Sequence, residues 1–367
     1  MSCFAHNLQL AIREGLRKVP HVCKVLAKCQ TISRFTHKSS KIADLMDQLN
    51  KHIEKPTITR WNSEFMLIKS ILSINKDDLE SIAVLMETPI RFSTNDFTIM
   101  EEIVDVLEPF YQISIKCQAE KVVTISLVVP SVVHLISHLI EIKDNLSFCN
   151  KLAQQLQSSI EQRFAGIINR LNQVQGQDDD PFNDPLYFMA TLLDPTFKFF
   201  WIHDLKLPAH IENRLKQNVI QHVLDEIDRD SHSSSTESIA STQPCSLAPS
   251  SLSLSPATRV KRRKLFFYDD YRHSNNSSTD KRLLNPSIEI EAYLNDPVWS
   301  SFSDYWQRSQ LSSLKTLVAR LFSVQASSAP VERVFSHAGL ILSSRRTRMS
   351  EQLFRDMVFL KANRSLL

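Results

Sequence analysis

The sequence predicts a mostly α-helical protein, and three observations carry that expectation. Apolar residues recur every three or four positions over long stretches, as in Leu152, Leu156, Ile160, Phe164, Ile167, Leu171 and Val174. Only 4 of the 367 residues are glycine, too few for a turn-rich all-β fold or for phosphate-cradling loops. Neither a GxGxxG run nor a P-loop pattern occurs, so nucleotide-binding folds of those types have no support and no small-molecule substrate is in view.

Composition sets further bounds. A hydrophobic share of 43% and a charged share of 23% are those of an ordinary globular chain, long enough to bury a sizeable core. A formal charge of +3 does not announce a nucleic-acid partner; any such case has to rest on clusters. Six cysteines without a CxxC pair point to reduced thiols in the cytosol or nucleus. The opening Met1–His6 lacks the basic start and apolar core expected of a signal peptide.

Taken in order, a first helix is expected from Cys3 to Gly15 or beyond. Cys3 and His6 stand one turn apart, and His21, Cys23 and Cys29 do not complete a zinc frame around them, so no metal is expected. Thr59-Arg60-Trp61-Asn62-Ser63 reads as a helix start capped by Asn62 or Ser63, with Trp61 as a core anchor. From Trp61 to about Asp228 the pattern stays helical, with Phe92–Ala119 and Val122–Asp144 divided at Glu120-Lys121.

The run from Val122 to Ile142 is near the length that spans a bilayer. Ser131, His134, Ser137, His138 and Glu141 nevertheless draw a solvated polar stripe along it, so an amphipathic helix is expected and no membrane partner. His134 and His138 are not a metalloprotease pair, because Leu135 stands where the HExxH motif needs Glu. Asp178–Pro181 reads as an acidic surface turn, and Asp194-Pro195 as the end of an apolar element.

Composition shifts at about Asp230. Ser, Thr, Pro and Ala dominate 231–256, which reads as a disordered linker. Lys261, Arg262, Arg263 and Lys264 then form an exposed basic run that reads as a nuclear import signal or a nucleic-acid contact.

The segment that organises the rest is Ser327–Gly339. Ser327 or Ser328 suits a cap, Pro330 the first helical turn and Gly339 a left-handed exit. Val331, Val334 and Phe335 share one face and should pack inward, with Glu332 beside them near the positive helix end. The basic cluster Arg345, Arg346 and Arg348 follows. Ser350 then caps a last helix whose Leu353, Phe354, Met357, Val358 and Leu360 form an apolar face.

This ordered set resembles the C-terminal region of hAT-superfamily transposases and of the zinc finger BED domain-containing proteins derived from them. The likeness runs from about Ile288 to Asn363. It extends to Cys3 and His6, which match the family's CxxH element, to Arg60-Trp61, and to Leu193-Asp194-Pro195, similar to the family's LDP segment.

The resemblance implies that Glu332 stands at the third acid of a metal-binding DDE triad. It also implies that Cys3, His6, Arg60 and Trp61 face DNA, with Trp61 near an unpaired base, where stacking is worth about 1–3 kcal/mol. The two catalytic Asp residues should precede Cys3, so a non-catalytic chain is expected, with Mg²⁺ or Mn²⁺ relevant only to a full-length transposase.

The implied fold is a truncated RNase H-like core with its early strands missing, a large all-helical insertion and a C-terminal dimerisation region. The corresponding divisions are 1–60, 61–230, a linker at 231–286, and 287–367. One or two strands are expected near Lys55–Thr59 or Arg320–Val324. The expected function is self-association, or pairing with related hAT proteins, in the nucleus. Trp306, Leu314, Leu317, Leu321, Phe335, Leu353, Phe354, Met357 and Leu360 would supply the surface. Phosphate contact would come from Arg345, Arg346 and Arg348.

Overall fold

The computed structural model describes residues 3–57, 61–86, 90–119, 122–174, 176, 179–233, 285–297, 301–342 and 349–362. The helices in the N-terminal half are α1 (Phe4–Arg17), α2 (Pro20–Thr36), α3 (Ser40–Gln48), α4 (Trp61–Leu72), α5 (Lys76–Val84), α6 (Thr94–Cys117), α7 (Val128–Ile142) and α8 (Asn150–Arg163). They continue as α9 (Ala165–Leu171), α10 (Leu186–Leu193), α11 (Ala209–Ser233), α12 (Pro286–Asn295), α13 (Phe302–Arg308), α14 (Ser312–Leu321), α15 (Ala329–Ile341) and α16 (Glu351–Ala362). The fold is mostly helical, and no strand occurs among the described residues.

The expected strands are corrected accordingly. Arg320 and Leu321 end α14, residues 322–324 form its exit turn, and 55–57 are irregular. The helical periodicity over 152–174 is carried by two helices and not one, broken at Phe164, whose backbone (φ −115°, ψ 30°) leaves the helical region. Phe164 uses that break to place its ring against Phe4 and Phe182. The periodicity is real; the bend comes from packing. Residues 231–233 of the expected linker continue α11, and 234–284, with the basic run Lys261–Lys264, lie outside the described residues.

Helices on both sides of residue 60 share one apolar core. α1 lies along α8, and the approach is close because Gly15 carries no side chain: a Cβ there would sit 2.7 Å from Leu156 Cδ2. Beside that crossing, the Glu14 carboxylate accepts from Lys18 Nζ at 2.6 Å, Ser159 Oγ at 3.0 Å and Arg163 Nη2 at 3.1 Å. Those hydrogen bonds, Lys18 first, hold its pKa down at about 2.

Stretch 125–145, long and apolar enough by composition to cross a membrane, is mostly buried inside the chain, against α6, α8 and α10. Its polar stripe is not a solvated one. Ser131 is buried and His134 and His138 are half-buried. Burial pushes both histidine pKa values down. The His138 ring meets the Val106 carbonyl of α6 at 3.3 Å, beside Asp105, whose carbonyl loses its usual helical donor because residue 109 is proline.

Two buried carboxylates cap helices from elsewhere in the chain. Glu102 of α6 accepts from the backbone N–H groups of Ser147, Phe148 and Cys149, at 2.7, 2.9 and 2.7 Å, where α8 begins. Glu289 of α12, fully buried, accepts from Leu314 N at 3.1 Å and from the Ser312 and Ser313 hydroxyls at the start of α14. Each carboxylate occupies the positive end of a helix that has no side-chain cap of its own.

The C-terminal helices dock on the segment after α10. Every residue of α10 is buried, and the helix stops at Asp194-Pro195 as the sequence indicates. Its last-turn carbonyls accept from the docked helices: Tyr293 Oη donates to Leu192 O at 3.0 Å and Trp306 Nε1 to Leu193 O at 3.1 Å. In return Lys198 Nζ donates to the carbonyls of Tyr293 (2.7 Å), Leu294 (3.4 Å) and Asp296 (2.5 Å) at the end of α12.

Burial lowers the Lys198 pKa to about 8, against the pull of Asp296. Asp194, itself buried, accepts from Ser126 Oγ at 2.5 Å and Thr196 N at 3.0 Å, and burial raises its pKa.

Two predictions follow from these contacts. Lys198→Met leaves three carbonyls without a donor and should destabilise the fold by about 3 kcal/mol, read as a lower urea midpoint at unchanged slope. The folded pKa of Glu14 is below its ordinary 4.5, so its contribution is complete above that value and lost as pH falls towards 2. Wild type should therefore exceed Glu14→Gln in stability by about 1–2 kcal/mol at neutral pH, after discounting for solvent. Denaturant melts across pH 5 to about 2 should show that margin vanish.

Candidate functional site

A cleft of about 210 Å³ opens where α1, α4, α6 and α15 meet, lined by Cys3, His6, Gln9, Trp61, Asn62, Ser114, Gln118, Ser327, Glu332, Arg333 and Ser336 among others. The fold thus brings together Cys3, His6, Trp61 and Glu332, residues up to 329 positions apart in the chain. The family resemblance nominated each of them separately and gave no sign of Gln9, Ser114 or Gln118.

The join between the chain's two ends is built on backbone groups. The first N–H groups of α1, Phe4 and Ala5, donate to the Ala326 carbonyl at 3.0 and 3.4 Å, so the C-terminal segment caps the N-terminal helix. Thr124, fully buried, holds that segment in turn: Ala326 N donates to its Oγ1 at 2.9 Å, and Oγ1 donates to Gln325 Oε1 at 2.8 Å.

Ser328 N donates to Cys3 Sγ at 3.3 Å, and Ser328 Oγ lies 3.4 Å from the same sulfur. The Cys3 thiol is thereby a structural acceptor at the mouth of the cleft. Arg333 reaches across to donate to the Gln118 carbonyl at the end of α6.

Glu332 is exposed, and its Oε1 accepts from Ser328 Oγ at 2.6 Å, at the positive end of α15. Ser328 is the N-cap by position but makes no side-chain capping bond, while Ser327 Oγ accepts from Ala329 N at 3.1 Å. Among the described residues no group of three or more His, Cys, Asp or Glu is placed to hold one ion. The residues present therefore do not fit a divalent-metal site by themselves, and no metal-dependent step is assigned to them.

Other expected site residues divide sharply. His6 is exposed at the cleft. Trp61 is only 3% exposed, its ring edge-on to Phe65 and Tyr111, so it is a core anchor and not an open platform for a base. Ser63 exchanges hydrogen bonds with Thr57 N and O at 2.8 and 3.1 Å. Arg60, Arg345, Arg346 and Arg348 lie outside the described residues.

The residues expected to form a protein interface also split. Trp306, Leu314, Leu317 and Leu321 are buried inside their own chain, packed on the α10–α12 junction, and are corrected to core positions. Phe354 and Met357 are half-buried, while Phe335, Leu353 and Leu360 are exposed. Val331 and Phe335 do not pack inward as their spacing suggests; they are 56% and 70% exposed. Gly339 does not end α15 either, since the helix continues to Ile341 and no glycine has positive φ among the described residues. Ser350 does cap α16, its Oγ accepting from Leu353 N at 3.3 Å.

α15 and α16 pack against each other as a helical hairpin, and no residue of α16 is buried. Residues 289–363, which include that hairpin, match the model of the hAT family C-terminal dimerisation region. The C-terminal segment is therefore similar to a hAT-family dimerisation region.

Over its whole length the chain is 21% identical to human zinc finger BED domain-containing protein 4, of which it spans 29%. Together the two likenesses support a hAT-family, transposase-derived chain, and the dimerisation region supports self-association or pairing with hAT proteins.

Thr124→Val tests how the hAT segment is tied to α1. It removes the hydroxyl that serves Ala326 and Gln325, and should cost about 2 kcal/mol. It should also speed iodoacetamide labelling at Cys3, followed peptide by peptide, because Ser328 is no longer held over the sulfur.

Proposed function

We propose that this chain is a transposase-derived nuclear protein acting by self-association, or by pairing with a related hAT protein, through the uncovered face of α15 and α16. One observation carries this reading. Of the fourteen exposed large apolar residues among the described ones, seven fall between 331 and 360: Val331, Phe335, Leu340, Leu342, Leu353, Phe359 and Leu360. A stable interface is a core cut in half, and an apolar hairpin inside a dimerisation region supplies one such half.

The rest of the proposal is finer. Residues 1–60 are the helical remainder of an RNase H-like core and 61–230 the family's helical insertion. Residual DNA contact comes from Arg345, Arg346 and Arg348, which lie between α15 and α16 in sequence, from His6 and Cys3 at the cleft, and from Arg60, next to Trp61 in sequence. Lys261, Arg262, Arg263 and Lys264 direct nuclear import. Glu332 is a vestigial acid, and neither a cofactor, a small-molecule substrate nor a membrane partner belongs to this reading.

The 29% coverage of the human relative favours a second reading, in which the chain is one part of a longer hAT transposase and Glu332 one of several metal ligands. Mapping the 5′ end of the transcript separates the two. A frame running upstream through two suitably placed Asp residues would support the second.

The first reading predicts a dimer or larger species in sedimentation at micromolar concentration. Leu353→Asp combined with Leu360→Asp should shift it to monomer without lowering helical content, since both side chains are exposed. A wild-type monomer under those conditions would remove the self-association claim.

A further inference from the structure

The mild net charge hides a strong asymmetry. Residues 15–43 hold seven Lys or Arg and no Asp or Glu. The structure folds this run into the end of α1, all of α2 and the start of α3. α2 buries Val22, Val25, Leu26, Cys29, Ile32, Ser33 and Thr36 and turns the opposite side outward. Lys24, Thr31, Arg34 and Lys38 follow one another at seven, three and four positions, the spacing of a single helical stripe. Lys24, Arg34, Lys38 and Lys41 are all exposed.

Three carboxylates near this stripe are already engaged, while Asp44 and Asp47 lie exposed further along α3. Glu14 holds Lys18 and Arg163, and Asp96 holds Lys28 at 2.7 Å. Glu64 accepts from Gln30 at 3.0 Å in a cleft of about 220 Å³ shared with Arg13 and Arg17. Lys24, Arg34, Lys38 and Lys41 have no ion pair among the described residues.

We propose that the exposed side of α2, continued through Lys38 and Lys41, is a binding surface for the phosphate backbone of a nucleic acid, read without sequence preference. Lys24 to Arg34 spans about 15 Å along the helix axis, which matches roughly four phosphates of one strand at 3.4 Å spacing. A lipid surface fits less well, because a membrane-binding helix presents apolar side chains beside its basic ones. None of the exposed large apolar residues falls before Val84. This surface uses no residue invoked for self-association or for C-terminal DNA contact.

The test measures fluorescence anisotropy of short labelled duplex DNA and duplex RNA with the full chain across a salt series. Wild type should bind at low salt with a steep log–log salt dependence. Lys24→Glu, Arg34→Glu, Lys38→Glu and Lys41→Glu combined should weaken binding at least tenfold and flatten the slope by about three.

Sedimentation of the same variant should match wild type, which keeps this result apart from the self-association reading. Should the reversed charges disturb folding in a thermal melt, the four Gln replacements should give the same direction with a smaller effect. Unchanged affinity and slope in a folded variant would overturn the proposal. Binding to anionic phosphatidylserine vesicles without binding to either duplex would overturn it as well.

Discussion

The C-terminal region is held to the rest of this protein by two helix ends that satisfy each other. α10 runs out of partners for its last carbonyls at Leu192 and Leu193, and Tyr293 and Trp306 donate to them. α12 runs out at Tyr293 to Asp296, and Lys198 donates back. Unpaired carbonyls buried at both ends would each cost free energy, so neither half of the junction is stable without the other. The ammonium also lies 4.9 Å from the Tyr293 ring centroid, and Tyr293 stacks on Trp306 at 5.4 Å. Polar satisfaction and aromatic packing therefore fix the same geometry.

That junction decides what α12 to α14 can do. With Trp306, Leu314, Leu317 and Leu321 consumed in docking, they cannot also meet another chain. The apolar surface left over is carried further along, by α15 and α16, which make a hairpin with little cover from the body of the protein. The segment that matches the hAT dimerisation model thus has two layers, one buried in its own chain and one exposed beyond it. The join of Ala326 to the start of α1 orients the second layer, since α15 begins three residues after that carbonyl.

Capping at a distance is the device used repeatedly to tie this fold together. Glu102 serves α8, Glu289 serves α14 and the Ala326 carbonyl serves α1. A local Ser or Asp cap would satisfy the same N–H groups, as Ser93 and Asp96 do at α6, but it would link nothing. A remote carboxylate turns a helix end into a tertiary contact, and its burial makes that contact costly to break.

Sequence alone indicated that the chain is helical, where α1, α15 and α16 start, and that α10 ends at Asp194-Pro195. Periodicity, Pro and Ser caps are local properties that act over one or two turns. It also picked out Cys3, His6, Trp61 and Glu332 one by one. Only the tertiary structure decided that these four line one cleft, that Trp61 is buried there, and that Glu332 faces solvent bonded to Ser328. The misread apolar faces share that cause. An i, i+3, i+4 pattern at Val331, Val334 and Phe335 says which side of a helix is apolar, not whether its own chain has anything left to cover it. For α14 the chain did, through the α10–α12 junction; for α15 it did not.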